Sequence, residues 1–390
     1  MEMDNVFLNA CKNGQKGIVE TFVKKGGIDY NKRDQMGCTA LFYACIKGTR
    51  DIVKILIDNG ADASLANNDS ITPLHSVSKS GNKEIMKLLA DAGADINATD
   101  KFGKTPLIYT LQEKRTEAAN FLISLGADTS IKDNDGHTAL DYATAHGLRD
   151  IIPQLSGEGE SKDASGNTPL HQAAYNGQSE VVSALIRSGA AVDAVNDDGE
   201  SPLILACIGS NLQVARLLLD AGADANLRLL NGNSPLHYAA AGGNKFLGQA
   251  LIEKGADVSY QNEDGESPLI LACISGNLQV ARLLLNAGAD ANLRLLNGNS
   301  PLHYAAAGGN KFLGQALIEK GADVSYQNED GESPLIVAAI RGQNDFSALL
   351  IEKGANVNAV DNLEQSAMHY ASEGGYTEIV EQLIMAGAEN

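Results

Sequence analysis

A threonine or serine recurs along this chain with an almost fixed period. Thr39, Thr72, Thr105, Thr138, Thr168, Ser201, Ser234, Ser267, Ser300, Ser333 and Ser366 are 33 residues apart at every step except one of 30. Counting back 33 from Thr39 reaches Val6, where NVFLNACKNG (5–14) has the same shape, so twelve units cover almost all of the 390 residues. A period of this length marks stacked supersecondary units, none of which buries its apolar face alone. Every residue is then assigned to a repeat, which leaves no segment for an independent active site.

The physics of one unit is readable. In Gly232-Asn-Ser-Pro-Leu-His237, Ser234 supplies a capping hydroxyl and Pro235 takes the first helical position, where a missing N–H costs nothing. A short helix is predicted to end at Gly242-Gly243. The second segment, Gln279-Val-Ala-Arg-Leu-Leu-Leu-Asn286, has apolar residues at helical period, and Ala287-Gly-Ala-Asp290 closes it with glycine just past the end. Residues 291–298 form a polar turn to the next unit. Two helices and a turn, repeated, predict an all-α solenoid with no extended sheet.

This pattern resembles the ankyrin repeat, a β-turn followed by two antiparallel helices opening with Thr-Pro-Leu-His. The matching segments are ITPLHSV (71–77), NTPLHQAA (167–174) and NSPLHYAA (233–240 and 299–306). Gly-Ala-Asp recurs at 60–62, 93–95, 126–128, 222–224, 255–257, 288–290 and 321–323. The resemblance implies a curved array whose turn tips and first helices line a concave groove, the usual partner site of the family. It also implies that the histidine of the repeated motif, present as His75, His171, His237, His303 and His369, is structural and bonds between neighbouring turns.

Two departures bear on organisation. The unit opening at Thr138 lacks Gly-Ala-Asp, has Pro153 within its second helix and runs into SGEGES (156–161); proline inside a helix costs roughly 3 kcal/mol. TALDYA (138–143) resembles the last repeat of many ankyrin arrays. The chain reads either as two stacks, 1–155 and 164–390, joined by an irregular connection at 156–163, or as one stack with a shortened unit. In addition, residues 221–270 and 287–336 are identical over fifty positions. Stability constrains a pattern and not identity at exposed sites, so this records a duplication or a deliberate construction.

The charge of −19 is uneven: residues 1–155 carry 18 Lys and Arg against 20 Asp and Glu, and residues 156–390 carry 12 against 29. Such a field repels phosphates and anionic lipid and attracts basic proteins, so nucleic acid and membrane are not expected partners. The apolar content of 44% excludes global disorder. Five sparse cysteines with no CxxC spacing, and an N-terminus without a basic start or a long apolar run, point to the cytoplasm. Secretion as an effector into a host cell stays open.

Chemistry finds little purchase. Cys45, Cys207 and Cys273 occupy an alanine slot facing the core and are expected to be inert; Cys38, near a turn tip, is the candidate for greater reactivity, although nothing nearby suggests a nucleophile's base. His137 and His146 stand isolated. Asp133-Asn-Asp-Gly-His137 lacks the glycine and the glutamate of a calcium loop and is in register with every other turn. No enzyme activity and no cofactor or metal are expected.

What remains is surface. Acidic tips recur at Asp197, Asp198 and Glu200, at Glu263, Asp264 and Glu266, and at Glu329, Asp330 and Glu332, with Leu230 and Leu296 between them and Arg228 and Arg294 just before. Ala241, Gly242, Ala307 and Gly308 leave the groove floor open. In the first half Met36 and Phe102 are candidate anchors, because methionine and aromatic residues are enriched at interface centres. The expected function is a monomeric, non-enzymatic scaffold binding a basic protein or peptide on its concave face. Two alternatives stay open: an engineered or purely structural array without a natural ligand, and the targeting module of a larger protein or bacterial effector.

Overall fold

The capping hydroxyls are where the helices begin. In the computed structural model, which describes residues 2–156 and 162–389, Thr39, Thr72, Thr105, Ser201, Ser267, Ser333 and Ser366 each accept a hydrogen bond from the backbone N–H three residues on. Each cap has extended backbone (Thr72 at φ −86°, ψ 167°), and proline follows in the first turn of most units. The first helices include Pro73–Ser80, Pro106–Gln112, Pro235–Ala241 and Pro301–Gly308, and their partners include Lys83–Asp91, Thr116–Ser124, Lys245–Glu253 and Lys311–Glu319. Among the described residues the fold is all-helical, with one isolated bridge between Val360 and Ser366.

The leucine two positions after the cap explains the stacking. Leu41, Leu74, Leu107, Leu170, Leu203, Leu236, Leu269, Leu302 and Leu335 are fully buried. Each contributes about 1.5–3 kcal/mol through removal of its side chain from water. In the second helices residues on successive turns do the same, as with Ile85, Met86 and Leu89.

The turns are stitched by single backbone bonds. The Met36 carbonyl accepts from Asn68 N–H at 3.0 Å, Asp69 from Lys101 at 3.0 Å, Phe102 from Asn134 at 2.9 Å, Asn231 from Glu263 at 3.0 Å, Asn297 from Glu329 at 3.0 Å and Asp330 from Asn362 at 2.9 Å. Most tips have glycine in the left-handed slot two residues before the cap, although Ser70 and Glu364 adopt it at φ +62° and +61°. Gly298 has φ +77°, and a Cβ there would lie 2.7 Å from the Glu329 nitrogen.

The unit opening at Thr138 is the irregular one. Its second helix is reduced to a 3₁₀ turn, Arg149–Ile151, and one α-turn, Ile152–Leu155. Second helices such as Lys83–Asp91 and Thr116–Ser124 run nine residues without a break, so the irregularity expected here from Pro153 is present, with Pro153 in the first turn of the short helix where no N–H is needed. Ile151, Ile152 and Leu155 remain buried. Of the connection expected at 156–163, residues 157–161 lie outside the described residues. By contacts the chain divides into two compact units, one running to Ala173 with Gln178–Ala191, the other comprising Ala174–Gly177 and Val192 onward. This division falls about one repeat beyond the 155/164 boundary read from the sequence.

Candidate partner-binding surface

The turn carrying each tip is built on one residue at a fixed slot, buried or half-buried. In most units it is Asp or Asn: Asp100 Oδ1 accepts from the N–H groups of Phe102 at 2.8 Å and Lys104 at 2.9 Å, and its Oδ2 accepts from the Tyr109 hydroxyl at 2.8 Å. Asp34 with Tyr43, Asp133 with Tyr142 and Asp361 with Tyr370 repeat the arrangement. Burial pushes the Asp361 carboxyl up, but the Tyr370 hydroxyl and the N–H groups of Gln365 and Leu363 together outweigh it and hold the group below the usual carboxylate range. The bond to Asp361 in turn pushes the Tyr370 phenol up to about 12.

The histidines of the repeated motif knit cap to neighbour. His237 Nδ1 accepts from the Ser234 N–H at 3.1 Å, so Nε2 carries the proton and donates to the Glu266 carbonyl of the next turn at 3.1 Å. His75 reaches Lys104 at 2.9 Å and His303 reaches Glu332 at 3.0 Å in the same way. Burial holds all three below the ordinary imidazole range, although the carbonyl bonds pull the other way. His171 is buried with its Nδ1 on the Thr168 N–H at 3.1 Å. His369 departs from the set: it is exposed, with Nε2 3.7 Å from Glu373.

On this frame the acidic tips separate into two kinds. Asp197, Asp198, Glu263, Asp264, Glu329 and Asp330 are exposed. Glu200, Glu266 and Glu332 are half-buried and accept from the side-chain amides of Asn196, Asn262 and Asn328 at 2.9, 3.1 and 3.1 Å, so they belong partly to the turn itself. Leu230 and Leu296 are 83% and 92% exposed, the barest apolar side chains among the described residues. Their turns have Leu229 and Leu295 in the slot filled elsewhere by Asp or Asn, and Asn231 and Asn297 bond the N–H groups of Asn233 and Asn299 instead. Arg228 and Arg294 do not reach the acidic tips; each guanidinium stacks on a tyrosine of the next unit, Tyr260 at 3.4 Å and Tyr326 at 3.5 Å from the ring centroid.

The structure adds a row that the sequence reading passed over. At the position near the end of each first helix occupied by Ala241 and Ala307 stand Tyr175, Ile208, Ile274 and Ile340 in four of the other repeats from Thr168 onward, and Glu373 in the last. Tyr175, Ile208 and Ile274 are 57%, 40% and 47% exposed. Tallying the residue 33 positions apart would have revealed this stripe.

In the N-terminal unit Met36 is 62% and Phe102 55% exposed, as expected, with Lys101 Nζ 5.0 Å from the Phe102 ring centroid. Two expectations need correction. Cys38 is buried, and burial together with the neighbouring Asp34 carboxylate raises its thiol pKa, away from the reactive thiolate. His137 is not isolated: the ligand atoms of Asp133, Asp135 and His137 lie within 4.8 Å of one another. Both Asp133 oxygens are nevertheless engaged by turn N–H groups and by Tyr142, as in the turns with no histidine. No described helix is long and apolar enough to cross a membrane.

The profile described as ankyrin repeats (3 copies) matches residues 7–100, 74–165, 151–228, 219–295, 236–328 and 302–390. The ankyrin repeat protein FPV222 of fowlpox virus (strain NVSL) is 36% identical over 77 residues, 20% of this chain and 10% of that protein. The human BCL-6 corepressor-like protein 1 is 35% identical over 72 residues, 18% of this chain and 4% of that one. Mouse protein phosphatase 1 regulatory subunit 27 is 41% identical over 64 residues, 16% of this chain and 41% of its own. These alignments thus span less than half of each relative. The crystal structure of the human ASB11 ankyrin repeat domain superposes with a TM-score of 0.53 at 26% identity, over 57% of this chain and all of that domain. With the capped helix pairs, the bonded turn tips and the inter-turn histidines, these matches place the chain in the ankyrin repeat family.

Proposed function

We propose that this chain is a non-enzymatic scaffold whose C-terminal repeats bind a basic protein or peptide on their concave face. Ankyrin repeats are in general protein-interaction modules. The observation that carries the finer reading is the alternation, at a 66-residue period, of exposed acidic pairs (Asp197–Asp198, Glu263–Asp264, Glu329–Asp330) with the bare leucines 230 and 296. Packed helices sit about 8–10 Å apart, so successive acidic pairs lie about 20 Å apart along one edge. A basic helix or extended segment spans two of them and sets apolar side chains on the leucines and on the Ile208 and Ile274 stripe. A preformed surface needs little ordering on binding. The likeness to a phosphatase regulatory subunit supports a role exerted through contact with another protein. The proposed state is a cytoplasmic monomer.

The test is an equilibrium titration of the full chain with a labelled decapeptide of lysines around a central leucine. Joint reversal of Asp198, Asp264 and Asp330 to Lys is expected to weaken binding at least about tenfold at low salt. A peptide that binds wild type and variant alike contradicts the site. The fifty-residue identity of 221–270 with 287–336 favours a second reading, a structural or engineered array without a natural ligand. Under it neither the peptide nor any cellular protein binds this face.

A further inference from the structure

Lysines on the outer helices of the N-terminal unit pair with carboxylates: Lys16 with Asp51 at 2.7 Å, Lys54 with Asp58 at 3.1 Å, Lys87 with Asp91 at 3.0 Å. Lys12, Lys79 and Lys104 are arranged otherwise. Each ammonium lies over a tyrosine ring, Tyr43 at 4.9 Å, Tyr109 at 5.2 Å and Tyr142 at 5.3 Å from the centroid. Among the described residues none of the three has a carboxylate within ion-pair distance. Asp34, Asp100 and Asp133, bonded to the hydroxyls of those tyrosines, are also held by turn N–H groups. An ammonium resting on a ring keeps its outward hydrogens for another acceptor.

Two of these lysines share one open groove of about 410 Å³, lined also by Asp100, Phe102, Tyr109, Gln112, Glu113 and His146. That volume holds two or three side chains of a ligand. The lining has two carboxylates, Asp100 and Glu113; Asp100 is buried with both oxygens held by the Phe102 and Lys104 N–H groups and the Tyr109 hydroxyl, so Glu113 is the one exposed carboxylate against two ammonium groups. Phe102 offers an apolar edge, and Lys101 beside it is occupied by Asp69 at 2.8 Å. The sign is opposite to that of the C-terminal tips. A polyanion such as nucleic acid is disfavoured by the total charge of −19, whereas a short segment with a few carboxylates is not.

We propose that this groove binds an extended acidic peptide, its carboxylates on Lys79 and Lys104 and an apolar side chain on Phe102, so that the chain joins two partners of opposite charge. The proposal rests on reading the chain as a protein-binding scaffold. Its test uses the full chain and two labelled decapeptides, one of glutamates around a central leucine, the other the lysine peptide described above. The glutamate peptide is expected to bind, with affinity falling about tenfold between 50 and 300 mM salt. Lys79→Glu with Lys104→Glu is expected to weaken it more than about tenfold and Lys79→Gln with Lys104→Gln by less, while lysine-peptide binding stays unchanged in both. Phe102→Ala is expected to weaken it about three- to tenfold. Circular dichroism identical to wild type confirms that the variants fold. If the glutamate peptide does not bind although the lysine peptide does, or binds all variants equally, the groove assignment is overturned and the wider reading stands. If neither peptide binds, both fall. A concentration-dependent dimer lost on Lys79→Glu with Lys104→Glu, without peptide binding, gives the groove to a second copy's acidic tips and overturns the peptide assignment.

Discussion

The Phe346 ring fills the space that a side chain on Gly314 would need: a Cβ at 314 would lie 2.5 Å from its Cζ. The identical helix one duplication earlier places Gly248 against Leu283 Cδ2, at 3.3 Å, the movable end of a flexible side chain. The same nine residues, KFLGQALIE, therefore sit in two different environments. Alanine is favoured over glycine inside a helix by about 1 kcal/mol, so Gly248→Ala is expected to be neutral or stabilising. Gly314→Ala forces a fully buried ring aside and is expected to destabilise by about 1–3 kcal/mol. Thermal or urea denaturation of the two single variants decides it, and equal effects would contradict this account of the packing.

Acid should loosen the stack through its histidines before it reaches the carboxylates. His75, His237 and His303 are held neutral by burial, with Nδ1 receiving a backbone N–H that a protonated ring repels. Their folded pKa values lie below the unfolded value of about 6.5, so below that pH the unfolded chain binds more protons. Stability is full above about pH 6.5 and declines as pH falls from there towards the folded values. The lowered Asp34 and Asp361 add a second loss, beginning near the unfolded carboxylate pKa of about 3.9. Melting temperatures at pH 7.5 and 5.5 are expected to differ, and by less in His237→Gln with His303→Gln. A wild-type melting temperature that does not change over that range would contradict the assigned tautomer.

Removing one hydroxyl from a turn tests the tip framework. Tyr109→Phe leaves Asp100 Oδ2 without its donor in a buried turn, at an expected cost of about 1–3 kcal/mol. Hydrogen exchange should locate the loosening in residues 100–109 and in the Lys101 and Asn134 N–H groups bonded to the neighbouring turns. Loosening spread evenly through the N-terminal unit would show that the turn does not act as a local device.

What the sequence disclosed is what depends on local chemistry. Caps, first-turn prolines, the buried leucine and the bonded histidine recur because each satisfies a need inside its own unit or with the next, and all stand at a readable 33-residue spacing. The parts that were not legible depend on the neighbour's shape. Cys38 looked like a tip residue, and only the packed turn shows it buried. The identities of Tyr175, Ile208 and Ile274 were there to be tallied at one slot, but their degree of exposure was not. Pro153 was legible as the cause of an irregular second helix, but not the way Ile151, Ile152 and Leu155 stay buried in the short turns that replace it. The acidic tips were legible as charges, but the tie from Asn262 to Glu266, which removes one carboxylate of three from free use, was not.

Rates separate the two parts of the proposed C-terminal surface and test it most directly. Charges at a rim act mainly on association and its salt dependence, while desolvated apolar contacts govern dissociation. Binding kinetics of the lysine peptide should be measured at several salt concentrations for wild type, for Asp198→Lys with Asp264→Lys and Asp330→Lys, and for Leu230→Ala with Leu296→Ala. The account predicts slower association with a flattened salt dependence in the first variant. It predicts faster dissociation with unchanged association in the second. Binding that survives both sets with wild-type rates would contradict the concave acidic face as the site and leave those charges a role in solubility alone.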